Sequence, residues 1–367
     1  DLVKVSKEKS VESLTQLIYR RSEGLLAARK LGGLQPKKAL VEELLNLYEK
    51  TTPDPATLKL LPYYYKQLFL TEHLSGDELR YARKKQFAKR RKAITRFKEK
   101  QTGALLVMGM PQSGKSFLAD YLAHEHFEKE KIYRIDPPIE GSTDPEDFRN
   151  AIAKKLKIST SSDSFFRQAS SSAVFIFEDF ERWWMRTPSG YQVVHTLIDM
   201  IDRYSHTHLF VVLINPVTYR FINQSVKLED SFIQIIDCEP FDAKSLKDII
   251  LLRHQSSGMK FRIGEHREDK ISKWKLAQLF SALFDASYGN IGTALQTWIS
   301  SMKSVEDNVL EIEVPKLPSI DILRKLPSSW TVILIQLMLH RKLSIAKLDL
   351  IMNHTVVQLH HELTVLI

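Results

Sequence analysis

Between Gly103 and about Pro240 the chain alternates short apolar runs with longer stretches in which apolar residues recur every three or four positions. The runs are "ALLVM" (104–108), "IYRI" (132–135), "AVFIF" (173–177), "LFVVLI" (209–214) and "FIQII" (232–236). Short runs with little polar alternation suit strands covered on both faces, and the helical period between them predicts crossover helices. The pattern therefore predicts an α/β fold: a mainly parallel five-stranded sheet with helices on both faces. Such sheets hold their ligands beyond the carboxyl ends of the strands.

On either side the period is helical. Residues 1–100 read as a helical N-terminal region, with "SVESLTQLIYRRSEGLLAARKL" and "KKALVEELLNLYEK" before a break at "TTPDP". Residues 242–305 read as purely helical, a small lid packed beside the 101–241 core. The stretch "VLEIEVPKLPSID" reads as a linker into three short helical patterns within 306–367, the middle one N-capped by Ser344. Three helices with a short turn between the last two are compatible with a helix-turn-helix or winged-helix-like module. The last pattern, "TVVQLHHELTVLI", is poor in Lys and Arg, so a protein-contacting role suits it as well as a DNA-reading one.

The first run opens into "VMGMPQSGKSFLADYL", where Gly109, Gly114, Lys115 and Ser116 fit GxxxxGK[S/T] between a strand and a helix. Glycines at those two ends let the loop turn its backbone N–H groups around a phosphate chain, to which the next helix presents its positive end. The expected ligands are ATP and Mg²⁺. Gly109, Met110, Pro111, Gln112, Ser113, Gly114, Lys115, Ser116 and Phe117 form the nucleotide-binding stretch, with Lys115 on the β- and γ-phosphates and the Ser116 hydroxyl on the metal. The third run delivers Glu178 and Asp179 at its tip. Two acids there supply one carboxylate for Mg²⁺ and one to orient or deprotonate the attacking water. The fourth run ends in Asn215, whose amide can reach the γ-phosphate or that water.

Charge adds a second theme. The formal net charge of +9 favours an anionic partner: nucleic acid, an acidic protein or an anionic membrane surface. Eleven Lys and Arg residues stand between Arg80 and Lys100 against one acid, Glu99, with Phe87, Ile94 and Phe97 on one helical stripe. This basic amphipathic helix either holds an anion such as DNA or is a solvated face docked through the stripe. The single cysteine, Cys238, excludes an internal disulfide framework and suits a reducing, cytoplasmic compartment. No apolar run is long enough to span a bilayer. The chain opens on Asp1 and closes inside a helical pattern, so a piece of a longer protein is expected, with room outside it for a membrane anchor. The histidines, including those at 206, 208, 360 and 361, read as surface residues, and Trp183 and Trp184 as packing.

These motifs resemble the AAA+ and STAND branch of P-loop ATPases, in particular the origin-recognition and Cdc6-like layout of ATPase core, lid and winged helix, over roughly 103–367. By position the resemblance implies that Glu178 serves Mg²⁺, that Asp179 is catalytic, and that Asn215 is the first sensor. The family commonly writes Asp before Glu, so the two roles follow either position or residue type. Where the family carries a finger arginine this chain has Ser231, and where many members carry a lid sensor arginine it has Gly292. An arginine on the γ-phosphate is worth roughly 10³ to 10⁵ in rate, so slow hydrolysis is expected. Arg182, Arg186, Arg220 and Arg253 are candidate substitutes. The implied function is a nucleotide-dependent switch or assembly ATPase, acting as a homo-oligomer or with a partner protein. The alternatives are an ATP-controlled DNA-binding protein and a membrane-associated or defence scaffold.

Overall fold

The computed structural model describes residues 42–43, 52–70, 95, 97, 103–128, 131–158, 165–169, 172–316 and 321–352. Most of the basic stretch 80–100, the helical patterns before residue 50 and the final pattern 355–367 lie outside them. Two compact units emerge: 49–318 with 337–343, and 1–48 with 319–336 and 344–367.

In the larger unit the five apolar runs become strands β1 (Ala104–Met108), β2 (Ile132–Ile135), β3 (Val174–Phe177), β4 (Leu209–Ile214) and β5 (Gln234–Asp237). They form one sheet in the order β2-β3-β4-β1-β5, and every pairing is parallel. The predicted α/β, P-loop architecture is therefore what the chain adopts. Residues one apart face opposite sides of a strand, and both sides are apolar here. Leu106, Phe175, Phe177, Phe210, Val212 and Ile214 pack against the helices Pro145–Leu156, Gln192–Tyr204 and Pro216–Val226. Leu105, Val107, Val174, Ile176, Val211 and Leu213 pack against the helix Lys115–His126 and against Phe97. Burial on both faces explains why the runs lack a polar alternation. Trp183 and Trp184 are buried on the first side, as their packing role required.

The stretch 242–312 is not purely helical. The helices Ala243–Ser256, Lys273–Ser287 and Ile291–Ser300 accompany a second sheet, β6 (Lys260–Ile263), β7 (His266–Arg267), β8 (Met302–Glu306) and β9 (Val309–Ile312), in the order β7-β6-β9-β8. The supposed linker "VLEI" is thus strand β9. It pairs antiparallel with β8 across Asp307 and Asn308, both at positive φ (44° and 62°). Positive φ at both central residues is the geometry of a two-residue hairpin whose twist matches its strands.

The core beside this second sheet also takes in residues from ahead of β1. Leu61, Tyr65 and Phe69, the last two on the helix Tyr63–Leu70, are buried with Leu246, Leu279, Phe280 and Trp298. Trp298 Nε1 donates to the Tyr65 hydroxyl at 2.9 Å, and that hydroxyl lies 3.1 Å from His254 Nδ1. Burial pulls the His254 pKa down to about 4, so the network is neutral at physiological pH.

In the smaller unit, Trp330 and Ile333 on the helix Ser328–His340 are buried, as are Ile322 and Leu348, and Lys325 reaches Glu43 at 3.3 Å. Ser344 Oγ lies 3.4 Å from Lys347 N at the start of the helix Ile345–Met352, where the cap was expected. No strand follows Ile312 among the described residues. No described helix is long and apolar enough to cross a membrane.

Candidate nucleotide and catalytic site

Three parallel strands set the site. In the register Met108 pairs with Ile214 and Phe177 with Val212, so Gly109, Glu178 and Asn215 all emerge at the carboxyl edge. The Gly109 N–H donates to Ile214 O at 3.2 Å, which ties the loop to β4. A Cβ on Gly109 would sit 2.4 Å from Ser113 Oγ and 2.8 Å from Cys238 Cβ, so only glycine fits. Gln112 (φ 61°) and Gly114 (φ 90°) both take left-handed backbone, which curls the loop into the helix Lys115–His126. Lys115 is buried and its ammonium donates to the carbonyls of Gly109 (2.8 Å) and Met110 (3.2 Å). Met110 and Gln112 face solvent, Ser113 is buried, and Pro111 and Phe117 are half-buried, the Phe117 ring lying 6.5 Å from that of Tyr121.

The Ser116 hydroxyl donates to Glu178 Oε2 at 2.8 Å, so the two predicted metal ligands meet although 62 positions separate them. Glu178 also accepts from Arg134 of β2, whose guanidinium spans to Asp120. Burial pushes Glu178 above the usual carboxylate range, against the opposing pull of Arg134 and of Ser116. Asp179 sits in left-handed backbone (φ 43°) and pairs with Arg341. Consecutive acids thus have different cationic partners.

The Asn215 side chain caps the helix Pro216–Val226, its Oδ1 accepting from Thr218 N at 2.8 Å. Its Nδ2 reaches the carbonyls of Leu339 (3.3 Å) and Met338 (3.5 Å). The Thr218 hydroxyl donates to Leu339 O, and His340 stacks on Trp184 with centroids 4.9 Å apart. One short stretch, 338–341, therefore engages both Asp179 and Asn215. Glu181, fully buried in the 3-10 turn after Asp179, accepts from Asn215 N at 3.2 Å through Oε2, while its Oε1 has no hydrogen-bond partner among the described residues. Burial raises its pKa, opposed chiefly by the charge of Lys115.

Three of the four substitute arginines have partners away from the two acids. Arg182 donates to the carbonyls of Pro138 and Ile139 (the latter at 2.5 Å), Arg253 to Leu68 O, and Arg186 lies over the Phe221 ring; Arg220 is exposed. The arginines at the acids are Arg134 and Arg341, which the motif reading missed. Arg134 carried a signal, being a cation inside an otherwise apolar strand; Arg341 carried none. The expectation of surface histidines fails for His208, which is buried with Nε2 2.8 Å from Phe166 O, and for His254 and His340. The His208 ring lies against those of Phe166 and Phe175, which explains its burial.

No family model matches the chain, and no curated protein matches it. Solved structures do. The chain is similar to the ORC2 protein of Aeropyrum pernix in its ADPNP-ADP complexes, at 12% identity and a TM-score of 0.46 over 64% of each chain. It is similar to Cdc6p of Pyrobaculum aerophilum, at 12% identity and a TM-score of 0.44, covering 64% of this chain and 63% of that one. The Thermotoga maritima RuvB Holliday junction branch migration motor gives 14% identity and a TM-score of 0.40, with 77% and 88% covered. The chain thus spans about 64% of the length of the ORC2 and Cdc6p structures.

Proposed function

We propose that this protein binds Mg²⁺-ATP at the 109–117 loop, hydrolyses it slowly, and works as a nucleotide-dependent conformational switch or assembly ATPase. The observation that carries the reading is the 2.8 Å bond between Ser116 and Glu178. It brings the hydroxyl of the phosphate loop and the acid of β3 to one point, where the pair would hold Mg²⁺. That ion, when bound, neutralises charge on the β- and γ-phosphate oxygens. Lys115 rests on two neutral carbonyls, which its ammonium would exchange for charge-assisted bonds to phosphate. Asp179 would accept a proton from the water whose oxygen attacks the γ-phosphorus as the bond to the ADP oxygen breaks. For that, its carboxylate must turn from Arg341 to water. Ser231 and Gly292 supply no arginine, which is the physical ground for slow turnover.

A second reading, DNA binding under ATP control, rests on the cation run 80–100. Phe97 of its apolar stripe is buried, 6.0 Å from the Phe127 ring, which favours the competing reading of a solvated face docked through the stripe.

Calorimetry of Mg²⁺-ATP binding tests the principal reading. Lys115→Ala should lose measurable affinity while keeping its fold by circular dichroism. Unchanged affinity in a folded variant would remove the loop as the nucleotide site.

A further inference from the structure

A loop that turns its N–H groups toward a ligand turns its carbonyls away from it, and those carbonyls need donors of their own. In this protein two of them are served by the lid. Asn290 Nδ2 donates to Pro111 O at 3.0 Å, and the Gly292 N–H donates to Gln112 O at 3.1 Å. Contact at Gly292 leaves no room for a side chain: a Cβ there would lie 2.3 Å from Gln112 Cβ and 3.0 Å from its carbonyl oxygen. The residue that stands where a sensor arginine was expected is a glycine because the backbones of lid and loop touch.

The arrangement is held from behind. The Phe241 N–H donates to Gly289 O at 2.9 Å, and Gly289 (φ 75°) faces Phe241 O so closely that a Cβ would sit 2.4 Å from it. Asn290 does two things with one side chain, since its Oδ1 also caps the helix Ile291–Ser300 by accepting from Thr293 N at 3.2 Å. Between the two lid donors lies Gln112 in left-handed backbone, a conformation that a non-glycine residue keeps only when its surroundings impose it.

From this geometry we infer that Asn290 and Gly292 are positioning residues: they hold the phosphate loop in its phosphate-accepting shape, so that the lid sets nucleotide affinity through the loop's backbone. The inference rests on the ATP-binding reading above. By linkage, nucleotide bound in the loop strengthens the same lid contacts, which couples occupancy to the lid without an arginine.

Two single variants and one double variant test this. Asn290→Asp keeps the cap but sets an acceptor against Pro111 O. Gly292→Ala drives a methyl group into Gln112. Both should remain folded, with about tenfold weaker Mg²⁺-ATP binding by calorimetry, a raised KM and an unchanged kcat. Gln112→Gly added to Gly292→Ala removes the clashing Cβ and should restore much of the affinity. Amide exchange at 112–114, measured without nucleotide, should quicken in both single variants. Wild-type affinity in both, or exchange unchanged from wild type, would overturn the positioning role. Failure of the wild-type protein to bind any nucleotide would instead overturn the ATP reading, and the exchange measurement would still decide whether the lid shapes the loop.

Discussion

Arg341 pairs with Asp179 across 162 positions of sequence, which sets a guanidinium on the acid proposed to handle water. Both side chains are only partly exposed, 28% and 22%, so the pair is less screened than a surface bridge. An acid that must release a guanidinium before serving as a base reacts more slowly than a free one. Arg341→Gln is therefore expected to raise the single-turnover rate at saturating ATP by about tenfold, the scale of one charge-assisted bond. A fall in that rate would mean that Arg341 works on the phosphates, and the restraint would be disproved.

The acid pair divides by position on this reading. Glu178 holds the Ser116 hydroxyl, so Glu178→Gln should weaken the Mg²⁺ dependence of ATP binding. Asp179→Asn should leave ATP bound and stop turnover. Titrating Mg²⁺ against each variant, with single-turnover rates alongside, separates the two. Exchanged phenotypes would show that the roles follow residue type.

Glu181 predicts a pH dependence. Burial raises its pKa above the ordinary 4.5, so the folded state prefers the protonated acid. Its stabilising contribution is complete below pH 4.5 and is lost as pH climbs through the raised value. Glu181→Gln keeps an acceptor for Asn215 N and removes the charge. In nucleotide-free protein its Tm should match wild type below about pH 4 and exceed it by a few degrees toward pH 8. A gap that stays constant with pH would show that Glu181 does not ionise in this range.

How much of this was legible in the chain depends on the range of each interaction. The five core strands were readable because burial on both faces writes an apolar run, and the phosphate loop because its glycines are demanded locally. β6 (KFRI) and β9 (VLEI) set charged residues among their apolar ones and so write no continuous apolar run, and the Asp307–Asn308 turn lacks the glycine that usually marks such a hairpin. Arg134 became part of the site only when β2 was placed beside β3, and Arg341 only when 338–341 came to lie against Asn215. Gly292 was noticed for the arginine it lacks, while its reason, the approach to Gln112, exists only in three dimensions.

The cation run predicts a salt series. If the eleven cations between Arg80 and Lys100 hold duplex DNA, log affinity should fall against log salt with a slope of about −0.9 per phosphate contacted. Replacing Lys84, Lys85, Arg90 and Arg91 by glutamine should flatten it. An unchanged slope in the folded variant would take DNA off this segment, and no binding by the parent would hand its charge to an acidic protein or a membrane.

Tyr65 and Phe69 precede β1 in the chain yet are buried with Trp298, so the core beside the second sheet is stitched from both flanks of the five-stranded sheet. The boundary before Gly103 is consequently no seam. A protein begun at residue 101 would lack the partner of the Trp298 indole N–H and bare the aromatic interior around it to water. Anyone trimming this chain to the unit that carries the 109–117 loop should therefore cut upstream of Asp54, whose carboxylate caps the helix Pro55–Leu60.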